Sequence, residues 1–205
     1  MSRRSPKAAR EARERAAQAA APSPASQESA DETSADESSS PDIDVWICDF
    51  SDAADRDAFA RLMAEFAAEP VSSRPDLDHA HFTRVADDLA RRAGTLVLLA
   101  ARAESETTEG VLIAFEGYSS FAQAQLFNVH DVHVAPAARG HGVGTAMMNA
   151  LEDLAREHRF AKITLEVSAT NSGAIALYRR LGYAGLDAID GPGPRSVTYF
   201  STKTL

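Results

Sequence analysis

Between Ser2 and Asp42 the chain carries no Val, Ile, Leu, Phe, Tyr or Trp, whereas from Asp42 onward apolar positions recur with recognisable periods. Residues 44–48 (DVWIC) read as a short strand. Residues 53–68 set Phe59, Leu62, Met63 and Phe66 at helical spacing and stop before Pro70, which predicts a helix. Residues 77–93 predict a second helix, closed by Gly94. The run TLVLLAA at 95–101 is a buried strand, residues 104–109 are a polar turn, and 111–118 (VLIAFEGY) is the hairpin partner of that strand. A further strand covers 125–134 (QLFNVHDVHV). Residues 143–158 place Met147, Leu151 and Leu154 on one helical face. Residues 162–167 (KITLEV) are a strand with a β-branched core, 172–181 a helix stopped by Gly182, and 196–202 a last strand. This order predicts an α/β domain with a central mixed sheet and helices packed on it.

The segment before that domain changes the picture only at its margin. Residues 1–41 are mostly Ala, Ser, Pro, Glu, Asp and Arg, too poor in apolar area to offset the entropy of ordering, so a disordered tail is expected there and the folded domain over 42–205. The tail is basic up to Arg15 and acidic from Glu28. Its two readings are a solubilising extension and an interaction tail. The net charge of −9, with no face-scale run of Lys and Arg in the folded part, argues against nucleic acid as the partner. No apolar run approaches the ~20 residues that cross a bilayer, and no apolar stretch follows the basic N-terminus, so neither a membrane nor a secretory route is expected. The lone Cys48 lies in an apolar run and forms no intramolecular disulfide, which points to a buried thiol and a reduced, cytoplasmic setting. No metal-ligand spacing is evident.

The informative stretch is VHVAPAARGHGVGTA at 132–146. A strand ends at Val134, a turn holds Arg139, Gly140, His141, Gly142, Val143 and Gly144, and a helix follows. Glycines at alternate positions let the backbone curl with its N–H groups inward. The helix start adds unpaired donors and partial positive charge, which together suit a pyrophosphate. A dinucleotide would want G-x-G-x-x-G after the first strand of its domain. Here Thr145 stands where the third glycine belongs, and too little chain follows for that sheet.

Coenzyme A is the other diphosphate ligand, and the segment resembles the GNAT acetyltransferase superfamily. The family pattern Q/R-x-x-G-x-G/A is matched from Arg139 to Gly144, and KITLEVSATNSGAIALYRRLGY at 162–183 is similar to the strand, Asn, helix and Gly-Tyr that follow it. The resemblance implies one domain with a mixed, largely antiparallel sheet. It implies acetyl-CoA as co-substrate, with Val132, His133 and Val134 on a splayed strand that takes the pantetheine arm. Arg139, Gly140, His141, Gly142, Val143, Gly144 and Thr145 would take the pyrophosphate, and Asn171 the cofactor or the neighbouring backbone. Tyr178 would be the acid that protonates the departing thiolate, a role that suits a phenol protonated at neutral pH. A homodimer is in keeping with the family.

An amine acceptor must lose a proton before it attacks the thioester, and the strand offers Asp131 first and His130 second as bases, with Glu166 a third. Alternation puts Asp131 and His133 on one face and His130 on the other. Asp131 is equally readable as a structural carboxylate. With the only thiol in a distant strand, direct transfer is expected. Glu65, Glu69, Asp76 and Asp78 are acidic on the side expected to face the acceptor, either to draw a cationic amine or as ordinary solvated charge. Tyr118 and Phe121 read as pocket wall or core. An acyl-CoA-binding domain without catalysis, and a dinucleotide oxidoreductase, are the competing functions.

Overall fold

A computed structural model of the chain describes residues 42–70, 72, 74–186 and 197–205; the tail expected over 1–41 and the strand start expected at Ser196 lie outside these. The strands are β1 (Ile43–Ile47), β2 (Thr95–Arg102), β3 (Gly110–Ser119), β4 (Ala124–Val134), β5 (Lys162–Ser168) and β6 (Thr198–Thr204). The helices are α1 (Ala53–Ala68), α2 (His79–Arg91), α3 (Val143–Glu157) and α4 (Ser172–Arg180). They form the expected α/β domain around a mixed sheet of six strands in the order β1-β2-β3-β4-β5-β6. All neighbours are antiparallel except β4 and β5. Such a sheet is not the parallel one of a dinucleotide domain.

Local chemistry sets the helix ends. Asp52 caps α1 by accepting from the Ala54 and Asp55 N–H groups. Asp78 caps α2 by accepting from His81 at 2.8 Å, so this helix starts at His79 rather than at Leu77. α4 ends in a Schellman motif: Gly182 is left-handed at φ +81°, Tyr183 N–H donates to the Tyr178 carbonyl and Gly182 N–H to that of Arg179.

The sheet separates two apolar layers. On one face α1 and α2 bury Phe59, Leu62 and Phe82 against Val97, Leu99, Val111 and Ile113. On the other, α3 and α4 bury Met147, Leu151, Ile175 and Tyr178 against Leu98, Leu112, Phe127 and Val129. Cys48 is buried in the first layer, as its apolar setting predicts. Tyr118 and Phe121 are neither wall nor core: they stand exposed at and beyond the end of β3.

Two features of β4 shape the molecule's cleft. A bulge interrupts its pairing with β3, so that Ala114 faces Val129 while Ile113 faces Asp131, leaving His130 as the extra residue. Phe127 and Val129 therefore point to the α3 layer, while Asp131 and His133 point toward α1. His130 does not take the opposite face that strict alternation assigned to it. Its ring meets Phe115, of the α1 layer, and its Nδ1 lies 3.0 Å from Asp131 Oδ2. The second feature is an early parting. β4 pairs with β5 only from Leu126↔Lys162 to Val129↔Leu165, after which the two strands diverge.

Candidate active site

The divergence opens a cleft of about 930 Å³, within the usual size of small-molecule sites. Val132, His133 and Val134 form one side, and among the described residues their outer backbone edge has no strand beside it past Val129. The end of β5 and the start of α4 form the other side through Ser168, Thr170 and Asn171. Leu177 and Tyr178 of α4 supply a wall, and Phe66, Glu69 and Pro70 close the far rim.

The turn into α3 lies at one end. Gly140 and Gly142 take left-handed φ values of +81° and +88°, a region in which side chains are strained. A Cβ on Gly140 would meet nothing within 4 Å, so that position faces open space. On Gly144 it would stand 3.2 Å from Leu177 Cδ2 and 3.7 Å from Val134 Cγ2, so this glycine lets the helix start close on β4 and α4. The first helical bond runs from Ala146 N–H to the Gly142 carbonyl, and no side chain caps the end. The N–H groups of the first turn lack intrahelical partners, as at any helix start, and Val143, Gly144 and Thr145 line the cleft. This is an uncapped positive helix end beside an open glycine turn, which fits a pyrophosphate. The unpaired edge of β4 fits an amide-bearing arm.

Most of the residues singled out from sequence meet here. Val132, His133, Val134, Arg139, Gly140, Gly142, Val143, Gly144, Thr145, Asn171 and Tyr178 all line the cleft; His141, Asp131 and His130 do not. The Asn171 side chain caps α4, accepting from Ala174 N–H at 3.1 Å. Tyr178 is buried, and desolvation pushes its phenol up to about 12, so it is a proton donor throughout the neutral range. Glu166 is exposed.

Sequence reading did not find the ion cluster at the rim. Arg139 donates through Nε to the Val134 carbonyl at 2.9 Å and through Nη2 to Glu69. Glu69 and Glu65 flank the buried His133 ring, which also lies on Phe66 with centroids 5.5 Å apart. Burial lowers the His133 pKa below the ordinary imidazole value; Glu69 and Glu65 push it back up and Arg139 lowers it further. The signal was a pair of acids one turn apart at the end of α1, but nothing local tied that pair to a histidine some sixty residues on.

The profile of the acetyltransferase (GNAT) family matches residues 57–183, more than half of the chain. A streptothricin acetyltransferase of Streptomyces lavendulae is 40% identical over 82 residues, 39% of this chain and 43% of that protein. An N-alpha-acetyltransferase RimI of Mycobacterium tuberculosis is 36% identical over 76 residues, 36% of this chain and 46% of that protein. The chain thus spans under half the length of these two relatives. A solved ribosomal-protein-alanine N-acetyltransferase from Brucella melitensis biovar Abortus 2308 superposes with a TM-score of 0.56 at 21% identity, over 68% of this chain and 89% of that one. The likeness to it is one of fold. With the cleft, its cradle and the matched profile all falling on the same residues, the chain belongs to the acetyltransferase (GNAT) family.

Proposed function

We propose that the chain moves an acetyl group from acetyl-CoA to an amine by direct attack of the amine on the thioester. The observation that carries this reading is the cleft between the parted β4 and β5, with the glycine turn at one end and the buried Tyr178 in its wall. Acetyl-CoA supplies the activated acetyl group. Gly140, Gly142 and the first turn of α3 would hold its pyrophosphate, with Arg139 and Thr145 beside them. The free edge of β4 at Val132–Val134 would hold the pantetheine amides, while His141, exposed on the turn, does not line the cleft.

Tyr178 then donates to the departing sulfur. A phenol that keeps its proton to about 12 is available for this at any neutral pH. The backbone N–H groups along β4 are suited to the oxyanion that forms on the carbonyl. Asp131 and His130, the bases expected from sequence, bond to one another on the α1 side of β4 and do not line the cleft. Cys48, buried in the layer beneath, forms no acyl-enzyme in this reading. A cytoplasmic setting accords with that reduced thiol. No described helix is long and apolar enough to cross a membrane.

The test is acetyl transfer itself. Full-length protein with acetyl-CoA and a mixture of amines should release free thiol and yield an amine heavier by one acetyl group in the mass spectrum. Tight CoA binding with no transfer to any amine would leave a binding domain in place of an enzyme.

A further inference from the structure

His133 stands on β4 opposite Val111, and its side chain is 1% exposed. Its Nδ1 is 3.5 Å from Glu69 Oε1 and its Nε2 is 3.7 Å from Glu65 Oε2. Among the described residues Nε2 has no hydrogen-bond partner. A buried polar atom without a partner is a cost to the fold. The two carboxylates differ in where they stand. Glu69 lines the cleft, whereas Glu65 is outside it and its side chain is 34% exposed. The groups thus run in a line: cleft, Glu69, His133, Glu65, solvent. The charged groups facing the imidazole are Glu65 and Glu69 from α1 and its end, and Arg139 from the turn. Glu69 already pairs with a cation, the Arg139 guanidinium, at the cleft rim. An ammonium group would find the same partner there.

We propose that Glu69 meets a cationic amine acceptor and takes its proton, and that His133 passes the proton on to Glu65 at the surface. This rests on the acetyl-transfer reading above and names the substrate class and the base of that same site. The proton balance is complete. The acceptor enters as R–NH3+ and gives one proton to the Glu69 carboxylate. His133 receives that proton at Nδ1 while releasing its Nε2 proton to Glu65, Glu65 returns it to solvent, and a half-turn of the ring before the next cycle restores the Nε2–H tautomer. The neutral amine forms the C–N bond as the C–S bond breaks. Tyr178 gives its proton to the departing sulfur, and the second proton lost by the nitrogen restores the Tyr178 phenol. Glu69 is the catalytic residue of this relay, and His133 and Glu65 are positioning residues.

The test uses the full chain and the variants Glu69→Gln, His133→Gln and Glu65→Gln. Each is assayed for stabilisation by CoA, and for thiol release from acetyl-CoA with 1,4-diaminobutane and with alaninamide between about pH 6 and pH 9. CoA should stabilise Glu65→Gln as it does the parent; Glu69 pairs with Arg139 and His133 lies on the β4 edge, so those two variants are compared with the parent at saturating acetyl-CoA. Glu69→Gln should lose on the order of 10²-fold in rate, the usual contribution of a general base. His133→Gln and Glu65→Gln should lose less, but their rates should climb more steeply with pH, because hydroxide then replaces the relay. Glu65 is half-exposed, so its variant decides the relay if His133→Gln fails to fold. The proposal is overturned by a Glu69→Gln rate within twofold of the parent, or by an unchanged pH profile in Glu65→Gln. It is also overturned by a parent that CoA stabilises but that acetylates neither probe. A parent that CoA does not stabilise sinks the acetyl-transfer reading instead.

Discussion

At the scale of single residues, Tyr178 and His133 behave oppositely although both are buried. Desolvation alone raises Tyr178, and the Schellman end of α4 holds it by bonding Tyr183 N–H to its own carbonyl. Replacing it by Phe keeps the ring and removes only the hydroxyl. Tyr178→Phe should therefore keep CoA stabilisation while thiol release falls by about 10²-fold or more, checked by melting and by a thiol assay. For His133 burial lowers the pKa, so the unfolded chain binds a proton that the folded one refuses. Stability should then be full above the ordinary imidazole value of ~6.5 and fall as pH drops below it. Denaturant unfolding from pH 7.5 to 5 should show that loss, and His133→Gln should flatten it. Tyr178 was legible from the sequence because its helix carries a local pattern. The ring contacts of His133 were not, since Glu65 and Glu69 reach it only through the packing of α1 on β4.

Elements carry the cradle and the strand that feeds it. Gly142 is both the left-handed residue and the N-cap of α3. A Gly142→Ala variant should lose about 1–2 kcal/mol to backbone strain and most of its response to CoA, measured by denaturant unfolding and by melting with ligand. The loss of response beyond the loss of stability is what distinguishes a cradle from a mere tight turn. Gly144 serves differently, through its closeness to Leu177 and Val134. A bulkier residue there should lower stability by forcing α3 away from the sheet. Most elements were readable from period and punctuation, because apolar spacing, Asp caps and glycine stops act within a turn or two. The bulge at His130 was not. It is a mismatch between two strands, and β4 read by itself alternates normally. Its consequence is large, because it turns Asp131 and His133 toward α1 while Phe127 and Val129 stay against α3. Without it, His133 and Phe127 would share a layer and the rim cluster could not form.

The described residues form a sheet with a helical layer on each face and a gap where its parallel pair parts. Neither helical layer alone makes the site. α3 and α4 bring the glycine turn, Asn171 and Tyr178, while α1 brings Glu69 and Phe66 to the opposite rim. The turn's chemistry pointed to a diphosphate ligand from residues alone. The position of the parting strands, by contrast, depends on where β5 stops pairing with β4, which no local pattern announces. On the proposed function, this gap receives coenzyme A. The most direct measurement is thermal unfolding of the full chain with acetyl-CoA, with free CoA and with NAD in separate samples. A ligand at 100 times its dissociation constant adds about 2.7 kcal/mol, a rise of several degrees for a domain of this size. Stabilisation by both CoA species and not by NAD is the expected result. Stabilisation by NAD alone, or by none of the three, would contradict the claim.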